Sequence, residues 1–147
     1  MIVLFLEGKI KDYEGRYLKD IWSFDDNKIE NVHNFIQWIF PLDKISKYVP
    51  SSPVLINEEI LEVKQSSVAK ENLIFSKQWF YNFLKRTSKW ELEKNHNHAR
   101  ISRMIESLKL LHSEDAAKKC LGEVLHLADL RSFNAERVIY NWKKSSK

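Results

Sequence analysis

The amino-acid sequence predicts an all-α fold: a single compact, bundle-like domain over residues 1–147, with six or seven helices and a short extended N-terminal arm. Three observations carry that expectation. The chain has 147 residues, 44% of them apolar and 12% aromatic, with five tryptophans. A folded chain of this size buries roughly two thirds of its surface, so it has material for one core. It contains only three glycines and three prolines, too little turn chemistry for a meander of short strands. Finally, several segments repeat apolar residues at helical spacing, most cleanly Ile101, Met104, Ile105, Leu108 and Leu111.

Taken in order, Ile2 to Leu6 is a short apolar run ending at Glu7-Gly8 and reads as a strand or buried extended arm. Asp12 then caps a helix through "YEGRYLKDIW", on which Tyr17, Leu18, Ile21 and Trp22 fall at helical spacing, although Gly15 weakens it. Asp25 or Asp26 caps the next helix, Asn27 to Phe40. There Ile29, Val32, Ile36, Ile39 and Phe40 form one stripe and Phe35 and Trp38 widen it, so wide an arc placing this helix at the centre of the domain. Pro41 stops it, and Pro50 and Pro53 keep "PLDKISKYVPSSPVLI" extended. Asn57 as N-cap, with Glu58 and Glu59 in the first turn, starts a short helix. From Ser66 or Ser67 a long helix runs to about Arg86, with Val68, Asn72, Phe75, Trp79 and Phe83 as its stripe, flanked by Leu73, Phe80 and Leu84. "TSKWELEKN" reads as a surface loop. The helix Asn97 to His112 packs against the central one. Ser113 caps a further helix, whose face is Ala116, Ala117, Cys120, Leu121, Val124, Leu125 and Ala128, and Asn134 caps the last before a frayed tail.

Charge and cysteine content narrow the functional classes. The net charge is +4 with basic and acidic residues interspersed, which permits nucleic-acid binding without pointing to it. The single cysteine rules out an intrachain disulfide and fits a reducing, cytoplasmic compartment. The opening apolar run is too short for a signal peptide core or a membrane span, so no membrane partner is expected. His33, His96, His98, His112, His126 and Cys120 show no metal-ligand spacing, no Gly-rich phosphate loop exists, and Cys120 sits mid-helix among apolar neighbours. Neither a metal nor a cofactor is expected.

One constellation stands out. Between Trp90 and Asp115, in "WELEKNHNHARISRMIESLKLLHSED", two imidazoles and two guanidiniums fall between His96 and Arg103. On a helix, His96, Arg100, Arg103 and Ser107 share one stripe at the edge of the apolar face. His33 and Gln37 lie four apart at the border of the central helix, so the two edges can meet. Two readings stay open: a buried hydrogen-bond network that only holds the fold, or the lining of a pocket. Asn95 or Asn97 can cap the helix, which leaves His96 at its boundary.

The segments "HNFIQWIFPL" and "HNHARISRMIESLKLL" resemble the two signature segments of the opioid growth factor receptor conserved-region family. The flanks "FLEGKIKDYEGRYLKDIWSFDDNKIENV" and "SPVLINEEI", and the late Trp142, are similar to that family as well. The resemblance implies a compact, bacterial-type member without C-terminal repeats. Its polar positions map onto His33, Gln37, Trp38, His96, Asn97, Arg100 and Arg103, while Ala99 stands where the family has a leucine. The family takes its name from an animal member described as a receptor for an enkephalin peptide, with a nuclear association and long C-terminal repeats. Without those repeats, a binding or interaction domain for an anionic small molecule or acidic peptide fits the paired guanidiniums better than an opioid receptor does. The alternatives are a small enzyme using a His/Arg site, with Asp25 or Asp26 as the acidic partner of a histidine, and a nucleic-acid-binding module.

Overall fold

The computed structural model describes every residue from Met1 to Lys147, as nine α-helices and one 3₁₀ turn. The helices are α1 (Ile2–Leu6), α2 (Leu18–Trp22), α3 (Asp26–Asn31), α4 (Ile36–Ile39), α5 (Asn57–Gln65) and α6 (Ser67–Arg86), then α7 (Asn97–Leu111), α8 (Glu114–Leu130) and α9 (Glu136–Ser145). The 3₁₀ turn, Lys89–Glu91, lies between α6 and α7. The all-α expectation holds. One cluster of 31 buried residues runs from Ile2 to Trp142. The helix α7 is its axis, packed most extensively on α8 and α9 and touching α5 and α6.

The larger helices follow their sequence signals. Ser66 Oγ accepts from Ala69 N at 3.1 Å and opens α6; Ser113 Oγ accepts from Ala116 N at 3.0 Å and opens α8. Ile101, Met104, Ile105, Leu108 and Leu111 are all buried, as their spacing requires. On α8 the buried residues are Ala117, Cys120, Val124, Leu127 and Ala128. Ser132, at φ 55°, turns the chain out of α8, and Phe133 N donates back to Ala128 O at 2.8 Å.

Several expectations are corrected. The N-terminal run is the helix α1 rather than an extended arm. Five apolar residues carry no decisive period, and the deciding feature is Gly8, at φ +81°, which lets Lys9 N reach Leu4 O at 2.8 Å and closes a helix C-terminus. Asp12 does not cap a helix. Its carboxylate accepts from Glu14 N and Arg16 N at 2.9 Å and pairs with the Arg16 guanidinium, folding residues 12–16 into a turn with Gly15 at φ +76°, and α2 begins only at Leu18. The long helix α6 centres its buried face on the expected flank rather than on the expected stripe: Leu73, Phe80 and Leu84 are inside with Phe83 and Ala69, while Val68 and Phe75 are exposed. Phe75 packs outside against Trp22, with ring centroids 4.2 Å apart. Asn57 is the first residue of α5 rather than its cap, and Asn134 makes no side-chain cap for α9. The tail is anchored, with Ser146 buried.

The largest correction concerns Asn27 to Phe40, which is two short helices rather than one. Asp25 caps α3 as expected, accepting from Lys28 N at 2.8 Å. At Val32 the backbone becomes extended (φ −89°, ψ 127°), and α4 starts at Ile36. The segment is central nonetheless. A continuous helix buries one arc, whereas the break lets six successive residues, Phe35 to Phe40, all go inside.

Trp90 shows how far the expected surface loop differs from the observed one. Its ring is buried within the 3₁₀ turn against Phe133, and its indole N–H donates to Leu84 O at 2.8 Å. Trp90→Ala is expected to lower unfolding free energy by about 3 to 5 kcal/mol in urea titration, against less than about 0.5 kcal/mol for the exposed neighbour Leu92→Ala.

Candidate functional site

Breaking the α3–α4 segment frees backbone carbonyls that a continuous helix would have used, and α7 supplies their donors. Arg100 reaches Ile29 O at 2.5 Å and Val32 O at 2.7 Å, and a third bond goes to Asn97 Oδ1 at 3.2 Å. One turn later, Arg103 Nε donates to Phe40 O at 2.8 Å, and Ser107 Oγ donates to Pro41 O at 2.8 Å. The expected polar stripe of α7 therefore exists and faces the α3–α4 segment. Asn97 is fully buried and donates to Glu30 Oε1 at 3.0 Å. Neither asparagine is the N-cap of α7: His96 holds that position without a side-chain cap bond, and Asn95, just before it, accepts from Asn97 N at 2.9 Å.

The two polar edges meet as expected. The His33 and His96 rings lie edge to face with centroids 4.9 Å apart. His96 Nε2 is 2.9 Å from Glu30 Oε2, but the contact is not aligned as a hydrogen bond, and that nitrogen has no other partner. Burial, and then the Arg100 guanidinium, hold the His96 imidazole below its ordinary pKa, outweighing the opposing pull of Glu30. At neutral pH the His96 imidazole is therefore neutral. Burial likewise lowers Arg100 and Arg103 to about 10, which leaves both charged at neutral pH.

A cleft of about 360 Å³ opens at this junction. His33, Gln37, His96, Arg100 and Arg103 line it together with Ile36, Leu42 and residues 44–48 of the extended connector. Three buried side-chain polar atoms of the chain lack a hydrogen-bond partner: Gln37 Oε1, His96 Nε2 and Arg103 Nη2. All three belong to residues lining this cleft. Trp38 lies elsewhere, buried in the core against Phe5 and Tyr13, and Asn97 stands behind the lining as the link between Glu30 and Arg100.

The sequence reading missed Glu30, the buried carboxylate beside His96. Asp25 and Asp26, considered for that place, are an N-cap and the partner of Arg86. A carboxylate next to Ile29 at the border of the apolar stripe was the available signal. Ile45, Lys47 and Tyr48 were missed too, because nothing in a connector's sequence says what it will fold over. Among His, Cys, Asp and Glu no group of three is placed to hold a metal ion. Cys120 is buried, and burial pushes its thiol up to about 12.

The profile of the opioid growth factor receptor conserved region matches residues 9–126, which includes both edges of the cleft. The chain belongs to that family. It is 26% identical to opioid growth factor receptor-like protein 1 of Mus musculus over 90% of its own length, and equally so to the Rattus norvegicus protein of the same name. It spans about a third of the length of these curated relatives, 32% in each case. No solved structure matches it.

In this family member the two arginines carry different duties, and their substitution separates them. Arg100→Ala strips the donors from Ile29 O and Val32 O beside a buried Glu30, and is expected to cost about 3 to 5 kcal/mol in chemical denaturation. Arg103→Ala loses one bond, to Phe40 O, and is expected to cost about 1 to 2 kcal/mol. Equal losses would show that Arg103 is as structural as Arg100.

The lowered His96 also sets a pH response. As pH falls through about 6.5 the unfolded chain takes up this proton while the folded chain resists it, so stability is full above that range and declines below it. His112, lowered by burial and Lys70, acts in the same direction. Thermal midpoints of His96→Gln between pH 7.5 and 5 are expected to fall less than those of the unaltered chain.

Proposed function

We propose that this domain binds an anionic ligand, a small phosphorylated or carboxylated molecule or an acidic peptide, in the cleft between the α3–α4 junction and α7. The observation that supports the reading is that the three buried polar atoms without a hydrogen bond, Gln37 Oε1, His96 Nε2 and Arg103 Nη2, all belong to residues lining one opening. An unsatisfied buried polar atom costs about 1 to 3 kcal/mol, and a stable fold leaves few of them without a reason. Arg103 uses Nε on Phe40 O and keeps Nη2 buried without a partner in the wall of the cleft. A guanidinium so held offers a fixed donor to carboxylate or phosphate oxygens. The relatives carry the name of an opioid growth factor receptor-like protein, and a peptide with an acidic terminus is one ligand of the chemistry proposed. A reducing, cytoplasmic setting suits the lone buried thiol of Cys120.

A catalytic reading has one observation in its favour, the exposed His33 and the His96–Glu30 contact at a solvent-open cleft. Against it, Glu30 is shared with Asn97, and the hydroxyl of Ser46 at the cleft already accepts from Val49 N. Binding therefore stands ahead of catalysis.

Thermal-shift measurements with phosphosugars, nucleotides and acidic peptides are expected to find stabilising ligands whose effect disappears in Arg103→Ala. Absence of any stabilisation, with the unaltered chain folded, would leave the cleft a purely structural seam.

A further inference from the structure

An anion alone does not answer every group in the cleft. A phosphate or carboxylate satisfies Arg103 Nη2, but Gln37 Oε1 is an acceptor and calls for a ligand N–H or O–H. Gln37 is 5% exposed, and no hydrogen bond holds its amide to the protein. The neutral His96 adds a nitrogen able to donate or accept. Around these polar groups the walls are apolar, formed by Ile36, Leu42 and Ile45, with Tyr48 in the rim at 76% exposure. Flat apolar faces with a donor–acceptor edge are the chemistry of a nucleobase, and a primary amide pairs with such an edge through adjacent bonds. A volume of about 360 Å³ lies within the range of small-ligand pockets.

The surroundings supply the rest of such a ligand's needs. The cleft runs into a broader trough of about 1000 Å³ between the connector, α7 and α9, and the two share Lys44, Lys47, Tyr48, His96, Ala99 and Arg103. Seven cationic side chains line the trough against two carboxylates, Glu93 and Glu106. Lys44 pairs with Glu106, and Lys109 donates to Lys147 O. Lys47, Lys94 and Lys144 have no acidic partner. Phosphates leaving the cleft would enter a field of uncompensated positive charge.

We infer that the cleft and trough together form a nucleotide site, with the base against Gln37 and the Ile36–Leu42–Ile45 wall and the phosphates on Arg103, Lys47, Lys94 and Lys144. The inference rests on the anion reading of the same cleft and adds the base. The nucleotide moiety is common to free nucleotides and to single-stranded RNA, and the sources separate by length and salt.

The test is calorimetric titration of the full chain with the four nucleoside monophosphates, ribose 5-phosphate, a six-residue single-stranded RNA and an acidic hexapeptide. At least one nucleoside monophosphate should bind about tenfold or more tightly than ribose 5-phosphate. Gln37→Leu should bring that nucleotide down to the level of the sugar phosphate. Tyr48→Ala, at an exposed position that leaves folding intact, should reduce the same preference. The paired variant Lys47→Ala/Lys94→Ala should weaken nucleotide and sugar phosphate alike. RNA binding tighter than the mononucleotide, with a steeper salt dependence, supports the inference with a strand as the source; equal affinity supports it with a free nucleotide. Equal binding of nucleotide and ribose 5-phosphate, still dependent on Arg103, would overturn the base while keeping the anion site, as would tighter binding of the hexapeptide. Silence from every ligand would overturn both.

Discussion

The structure depends on how α7 answers the carbonyl groups left free where the α3–α4 segment breaks and where it ends. A helix that stops at Asn31 and restarts at Ile36 leaves backbone acceptors at its centre, and buried acceptors without donors are not tolerated. Arg100 covers Ile29 O and Val32 O at the break, while Arg103 covers Phe40 O and Ser107 covers Pro41 O beyond the end of α4. These residues lie at successive turns of one helix face, so a single straight element satisfies a bent one along its length. The return is the burial of six successive residues from Phe35 to Phe40.

The same device recurs where other elements end. Arg131, after α8, donates to Lys85 O and Thr87 O at the C-terminus of α6 and pairs with Glu91, holding the 3₁₀ turn beneath it. Arg16 donates to Asn34 O and Asn34 Oδ1 at the α3–α4 break while pairing with Asp12. In each case a planar guanidinium with several fixed donors joins carbonyls that no helix of its own can reach. Isolated short helices are marginal in water, and α2, α3 and α4 are held by this tertiary bonding together with their burial.

Against that background the cleft is defined by valences the fold leaves over. Arg100 is used up by the backbone and sits at the wall; Arg103, one turn on, has a donor to spare. Gln37 shows the same contrast with Asn97: both are buried amides, but Asn97 is bonded to Glu30 and Arg100, while Gln37 is bonded to nothing. The structural network and the candidate pocket, which the sequence presented as alternatives, are therefore neighbours on one stripe, divided residue by residue.

Element type for the long helices, and the buried face of α7 and most of that of α8, were legible in the sequence because periodicity over fifteen or more residues, with Ser66 and Ser113 as caps, reports a local property of the chain. The meeting of the His33 and His96 edges was expected from helical spacing, but His33 stands in the break between α3 and α4, so the bend and not the period brings the rings together. Tertiary structure alone decided three things. It broke the Asn27–Phe40 helix, because burying both of its faces outweighed the continuity its pattern allowed. It brought Glu30, rather than Asp25 or Asp26, to His96, because a bend places side chains that helical spacing would keep apart. It folded Ile45, Lys47 and Tyr48 over the opening, because a connector has no period of its own, and its position is set by the helices it spans.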